Sequence, residues 1–425
     1  MIASSPRTRR APVALLTLVG FLPLFPASVR GEGQSPSRRV AELVEEATRA
    51  MRSARETGDP TWYGHARASV DRALELDATD FSALRAKAWV LLGQHEFREA
   101  RALADDAIAR DPDDWASWAN LTDALVELGE YERAVEAADR LATLRPGVPA
   151  YTRVAGLQAL LGDRPTAIAT LEVAVAAAEH AEPETLAWTL VHLGHEHLAL
   201  GDLAGASDAY ERALTSFPGY HLALVGLARA RAAQGRIAEA ITLASRAADR
   251  VPAPAVYGLL GDLYTAAGNP AEAERQFELV RVMERLAAAQ GTSYGREVAL
   301  FLADHDRDLA DALRLAREDA ARRGDVHGDD VLAWALYKNG RAADAKRAST
   351  RALRLGTEDA AFHYHAGMIA RALAQPRAAT RHLERALALD PSFDVRQAPM
   401  ARAALDAVRH APDTRLALAR QGDAP

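Results

Sequence analysis

Apolar residues recur along most of the chain at three- and four-residue spacing, as in Trp118-Ala119-Asn120-Leu121 followed by Ala124-Leu125. That spacing gathers them on one stripe and predicts amphipathic helices of about a dozen residues, two to a unit. The units keep register. One alanine returns as Ala66, Ala100, Ala134, Ala167, Ala206, Ala240, Ala273, Ala312, Ala345 and Ala379, at gaps of 34, 34, 33, 39, 34, 33, 39, 33 and 34 residues. Five residues before it stand Gly129, Gly162, Gly201, Gly235, Gly268 and Gly340, and twelve after it Pro112, Pro146, Pro218, Pro252 and Pro391.

Each mark has a mechanical role. The glycine lets the chain leave the first helix through a positive φ. The alanine removes bulk where the second helix presses on the first. The proline ends the second helix or opens the next link, because it cannot continue the helical ladder. Neither helix can bury its stripe alone, so the units must stack.

These marks resemble the tetratricopeptide repeat (TPR). Residues 115–146 carry Trp118, Leu121, Leu125, Gly129, Tyr131, Ala134, Ala138, Leu141 and Pro146 at the family's positions, and residues 187–218 follow with Leu190, Gly194, Gly201, Ala206, Tyr210, Ala213 and Pro218. The resemblance implies an all-α fold: an α-solenoid of about ten helix-turn-helix repeats wound into a right-handed superhelix. The expected layout is a leader over 1–31, a linker over 32–40, the solenoid over 41–391, a capping helix within 392–410 and a tail over 411–425. The 39-residue gaps imply extra linker near Glu179–Glu184 and a longer second helix near Arg281–Gln290. In the C-terminal third, Ala333-Trp334-Ala335-Leu336-Tyr337, Gly340-Arg341 and His365-Ala366-Gly367-Met368-Ile369-Ala370 resemble segments of exported bacterial TPR proteins.

The N-terminus points the same way. Arg7, Arg9 and Arg10 precede an apolar run from Ala11 to Phe25 and then Pro26-Ala27-Ser28. Basic, apolar and small-residue regions in that order read as a secretory signal peptide, with cleavage open between Ala27, Ser28 and Gly31. The run is shorter than the roughly 20 apolar residues of a spanning helix, so no stable membrane span is expected after cleavage. The protein is expected to be exported, periplasmic or extracellular.

Composition narrows the chemistry. The formal charge is −7, from 51 basic and 58 acidic residues, and becomes −11 once the four arginines of residues 1–31 are removed. A nucleic-acid binder ordinarily carries the opposite balance, so no nucleic-acid partner is expected. With no cysteine, disulfide staples, thiolate metal sites and thiol catalysis are excluded. Phosphate-cradling, dinucleotide and G-x-S-x-G elements are absent, so no enzyme and no cofactor are expected. His192-Leu193-Gly194-His195-Glu196-His197 is the most suggestive cluster. At helical pitch His192 and His195 lie about 60° apart but His195 and His197 about 160° apart, so three imidazoles cannot converge. His192, His195 and Glu196 define the alternative reading, a metal-linked binding protein, although the expected metal set is none.

The resemblance also implies a ligand-facing groove built from the second, fifth, ninth, twelfth and thirteenth residues of first helices. Among these, Trp89, Trp188, His195, Phe301, Trp334, Tyr337, Tyr364 and Arg371 are the candidate partner-binding residues. The function so implied is a scaffold that captures a protein or peptide segment between aromatic anchors, with charges setting register.

Overall fold

A computed structural model describes residues 35–289 and 294–410. The expected signal peptide and the 411–425 tail lie outside them. Among the described residues there are 21 α-helices and no strand. They run in antiparallel pairs: α1 (Pro36–Thr57) with α2 (Thr61–Leu76), α3 (Phe81–Gly93) with α4 (Phe97–Arg110), α5 (Trp115–Leu128) with α6 (Tyr131–Leu144), α7 (Val148–Leu160) with α8 (Arg164–Ala178), and α9 (Pro183–Ala199) with α10 (Leu203–Ser216). The second half continues with α11 (His221–Ala233) and α12 (Ile237–Arg250), α13 (Pro254–Ala266) and α14 (Pro270–Ala289), α15 (Gly295–Asp304) and α16 (Leu309–Arg322), α17 (Val326–Lys338) and α18 (Ala342–Ala352), and α19 (Ala360–Ala372) and α20 (Pro376–Leu389). A last helix, α21 (Gln397–Arg409), follows the tenth pair.

Local chemistry explains the boundaries. Asp80, Asp114, Asp163, Asp202, Asp325 and Asp359 each accept a backbone N–H of the helix they precede, which satisfies donors that have no partner inside the helix. Ser35 does the same for α1, so the first helix begins at Pro36, inside the stretch expected to be linker. The two long gaps are absorbed differently. α14 runs to 20 residues, as the spacing predicts, whereas α9 grows to 17 and takes up much of the other insertion as helix.

The ruler alanines stand between paired helices with no space beside them. Nine are 0% exposed and Ala273 is 3% exposed. Successive odd-numbered helices also pack on one another at every step except from α11 to α13, whereas no two successive even-numbered helices pack comparably. The odd helices therefore form the inner, concave radius and the even helices the convex one.

Curvature is tight enough that the second superhelical turn rests on the first. A Cβ built on Gly129 would stand 2.2 Å from the Gly324 carbonyl oxygen, one on Gly162 2.6 Å from that of Gly356, and one on Gly58 2.6 Å from Val251. Gly201 faces Asp390. These partners lie between five and six units apart along the chain. The loops inside the early pairs thus abut the links that follow later pairs, and the two rims form one seam.

Hydrogen bonds and ion pairs run along that seam. Gly324 N–H donates to the Glu127 carbonyl at 3.1 Å, and Val326 N–H to the Tyr131 hydroxyl at 2.9 Å. Thr357 Oγ1 donates to the Leu160 carbonyl at 2.6 Å, and Arg164 Nε to that of Glu358 at 2.8 Å. Arg323 reaches Glu127 at 2.7 Å with its guanidinium 4.8 Å from the Phe97 ring centre. Tyr131, Val326, Ala352 and Phe362 belong to one apolar cluster across the seam.

Where a turn lacks its glycine, another residue takes the left-handed backbone: His95 at φ 63° and Ala374 at φ 53°. An L side chain there is strained by about 1 kcal/mol. Ala374→Gly is therefore expected to raise the thermal or urea midpoint, by about 0.5–1 kcal/mol in the unfolding free energy. A lowered midpoint would contradict this account of the tenth turn.

Candidate functional site

The concave face divides where the C-terminal segment reaches into it. After α20 the chain passes through Asp394, whose Oδ1 caps α21 by accepting Arg396 N–H at 2.8 Å and Gln397 N–H at 2.7 Å. Gln397 then donates to the Asp304 carboxylate of α15 at 2.6 Å, and Arg396 donates to the Asp304 carbonyl. Phe393 packs on Tyr364 with ring centres 5.8 Å apart. A strap of the chain's own residues therefore covers the inner ends of α15 and α19.

Three of the expected anchors lie beneath this region and do not offer themselves to a partner. Trp334 is 2% exposed, Tyr364 0% and Phe301 7%. The Trp334 ring lies between Tyr337, at 5.0 Å, and His365, at 4.2 Å, and its N–H donates to Asp304 at 2.7 Å. Phe301 packs with Phe277 and His305. The reason is steric. In so narrow a superhelix, a large ring at a concave position meets the next inner helix before it meets solvent, and burying it gains the hydrophobic stabilisation. Tyr337 is half-buried on this cluster and Arg371 is exposed.

The remaining candidates stay accessible. Trp89 is half-buried beside Trp62 and Tyr63. Trp188 is half-buried on α9, with its ring 4.1 Å from that of His192. His192 stands 6.1 Å from His195, which meets Tyr210 edge-on at 5.7 Å. His195 keeps solvent contact, as does Arg229 one unit on. Glu196 does not join the histidines: it pairs with the buried Arg164, which also bonds across the seam. His197 turns to Asp202 at 2.8 Å. The three residues of the metal reading therefore do not converge, and among the described residues no three His, Asp or Glu side chains form a metal-holding group.

Titratable groups crowd the inner face. Burial pushes the His192 imidazole down to about 4. It pushes His195 to about 3, with the His192 and Arg229 charges acting in the same direction. Burial raises the Glu297 and Asp394 carboxyls, with Arg229 opposing the rise in both, and lifts Asp304 to about 6. His305 presents Nε2 to Asp262 at 2.9 Å and Nδ1 to the Phe301 carbonyl at 2.8 Å, so each of its nitrogens faces an acceptor. Neither Asp394 nor Gln397 belongs to the repeat pattern, and only a cap-like Asp before a helix could have marked the strap.

The lowered histidines have a definite sign. Between about pH 6.5 and 4 the unfolded chain binds protons that folded His192 does not, so stability contributed near neutrality is lost as pH falls through that window. Histidine NMR is expected to show both His192 and His195 neutral at about pH 5.5, where an unperturbed imidazole is mostly charged. His192→Gln with His195→Gln is expected to flatten the acid limb of stability. Ordinary titration near 6.5 would contradict the enclosed setting.

Two segments match family models for the tetratricopeptide repeat, residues 85–149 and 197–263. Cellulose synthase operon protein C of Komagataeibacter xylinus is 26% identical over 294 residues, which cover 69% of this chain but 20% of that protein's length. Among solved structures, the type IV pilus biogenesis factor PilW matches 46% of this chain and 90% of its own, at 19% identity and a TM-score of 0.41. A thermophilic TPR protein of Thermus thermophilus matches 46% of this chain and 98% of its own, at 24% identity and a TM-score of 0.39. The two matched segments fall on the in-phase Gly, Ala and Pro marks and on the stacked helix pairs, and the chain carries tetratricopeptide repeats there.

Proposed function

We propose that this protein is a non-catalytic scaffold that works outside the cytoplasm and takes a segment of a partner protein on its concave face. The observation that carries the reading is the accessible α9 surface, where half-buried Trp188 packs on His192 and His192 on His195, beside Arg229. An aromatic ring fixed by its neighbours loses little entropy on binding, and neutral imidazoles exchange hydrogen bonds with a peptide backbone. Trp89 supplies a second aromatic contact, and Tyr337 and Arg371 remain as rim contacts near the strap.

The basic, apolar and small-residue order of residues 1–31 supports export, and no helix among the described residues is long and apolar enough to cross a membrane. The likeness to one part of a much longer cellulose synthase operon protein supports an accessory role in a larger assembly.

Trp188→Ala, with helicity unchanged by circular dichroism, is expected to weaken partner capture from native-host periplasmic extract at least roughly tenfold, as truncation of a central anchor does. Undiminished capture by the folded variant would sink the assignment of this face. For export, the mature chain is expected to begin at Ser28, Val29 or Glu32 when its N-terminus is read by mass spectrometry. An intact N-terminus on protein from the cytosolic fraction would overturn it.

A further inference from the structure

We infer from the seam that the concave face is closed from the side, so the partner it fits is a single extended strand entering along the superhelix axis, and not a folded domain. This deepens the scaffold reading and rests on it for the partner. The closure itself rests only on the geometry of this chain.

Rim-to-rim contacts occur at the first, third, fourth and fifth turns, and beside the second at the start of α4. Gly58 meets Val251, and Arg98 donates to the Ala321 carbonyl at 2.8 Å. Gly129 meets Gly324, Gly162 meets Gly356, and Gly201 meets the Asp390 region. A later rim therefore rests on four of the first five turns and touches α4 beside the other. The approach is backbone to backbone at the middle positions, which leaves no slot for a side chain, still less for a helix about 10 Å wide.

Gly324 shows that closeness is itself the constraint. Unlike the turn glycines it does not need a positive φ, yet a Cβ there would stand 2.4 Å from the Leu128 carbonyl oxygen. Gly340 provides the contrast, with a φ of 74° and nothing within 4 Å of its added Cβ. One glycine serves the turn and the other serves the seam.

At the C-terminal end the axis is narrowed by the strap, where Gln397 reaches back past two helix pairs to Asp304 of α15. The Arg229 charge on α11 opposes the rise of the Glu297 carboxyl on α15 and of the Asp394 carboxyl in the strap, and Asp262 of α13 adds to the rise at Asp394. With the rims in contact along the seam, a partner reaches the inner face only from the ends of the superhelix.

The natural chain has no cysteine, so single cysteines report access cleanly. Glu297→Cys places a thiol on the inner face and Arg246→Cys one on the outer helix α12, at two exposed positions. Each full-length variant is treated with a small maleimide, a linear polyethylene-glycol maleimide and a maleimide carried by a small globular protein. The small and linear reagents are expected to label both positions. The globular reagent is expected to label Glu297→Cys at least roughly tenfold more slowly than Arg246→Cys, because it must wait for an opening. Equal labelling by the globular reagent would overturn the closure. Exclusion of the linear reagent as complete as that of the globular one would overturn entry by a strand.

Adding Gly324→Ala or Arg323→Ala to Glu297→Cys is expected to restore labelling by the globular reagent. Unchanged protection in both folded variants would show that the seam is not the barrier and would overturn the inference. No partner is needed in any arm, so failure here is distinct from failure of the capture experiment.

Discussion

Between the two helices of every unit stands one alanine with no room beside it, and the separation it permits governs the rest of the molecule. Interaxial distance follows the size of the side chains at the contact, so a methyl group lets the pair approach closely. Repeated ten times, that approach fixes the angle between successive units, and small angles add. After five to six units the sum brings one rim of the array onto the other. A larger side chain at Ala134 or Ala345, each 0% exposed, would change the local angle and, through it, the register of a seam many residues away.

The seam uses two kinds of chemistry with different tolerances. Glycines let backbones meet, and their contribution is geometric. Arginines then tie the rims through carboxylates and carbonyl oxygens. Exposed pairs of this kind contribute little each and are screened by salt. Arg323 is placed more favourably: its side chain is 12% exposed, pairs with Glu127 and Asp319, and covers Phe97. Burial, with the nearby Arg323 charge next in effect, holds the adjoining His95 down to about 4, so this imidazole remains neutral against the arginine near pH 7. The neutral ring avoids a like-charge clash where the turns approach.

Local rules made the repeat readable. Helical period and turn glycines each act within a few residues, and Gly129 takes the left-handed backbone that its place in the repeat predicts. Closure is not local. Nothing near Arg323-Gly324-Asp325 marks it as a contact for Glu127 and Gly129, because that meeting depends on angles summed over the intervening units. The aromatic anchors show the same limit. His195, Phe301 and Trp334 hold equivalent ninth positions of their units, yet His195 opens to the concave space, ringed but not covered by its neighbours, while Phe301 and Trp334 are covered. Tight winding and a strap from outside the repeat pattern decide which positions face solvent.

The inner face is rich in ionisable residues, yet enclosure works against their charge. Protonation of His192 and His195 is suppressed, and ionisation of Glu297, Asp304 and Asp394 is opposed, each chiefly by desolvation among the surrounding inner helices, even where the side chain keeps some solvent contact. The pH consequences have opposite signs. For His192 stability is lost as pH falls from about 6.5 to 4, whereas for Asp304 the folded state holds its proton more tightly, and that contribution is lost as pH rises from 3.8 to about 6. A surface of this kind favours hydrogen bonding over ion pairing. An extended strand, with a donor and an acceptor at nearly every residue, meets that surface without bringing a formal charge into it. The excess of acids over bases therefore describes the chain as a whole and says little about its inner face, where burial works against charge.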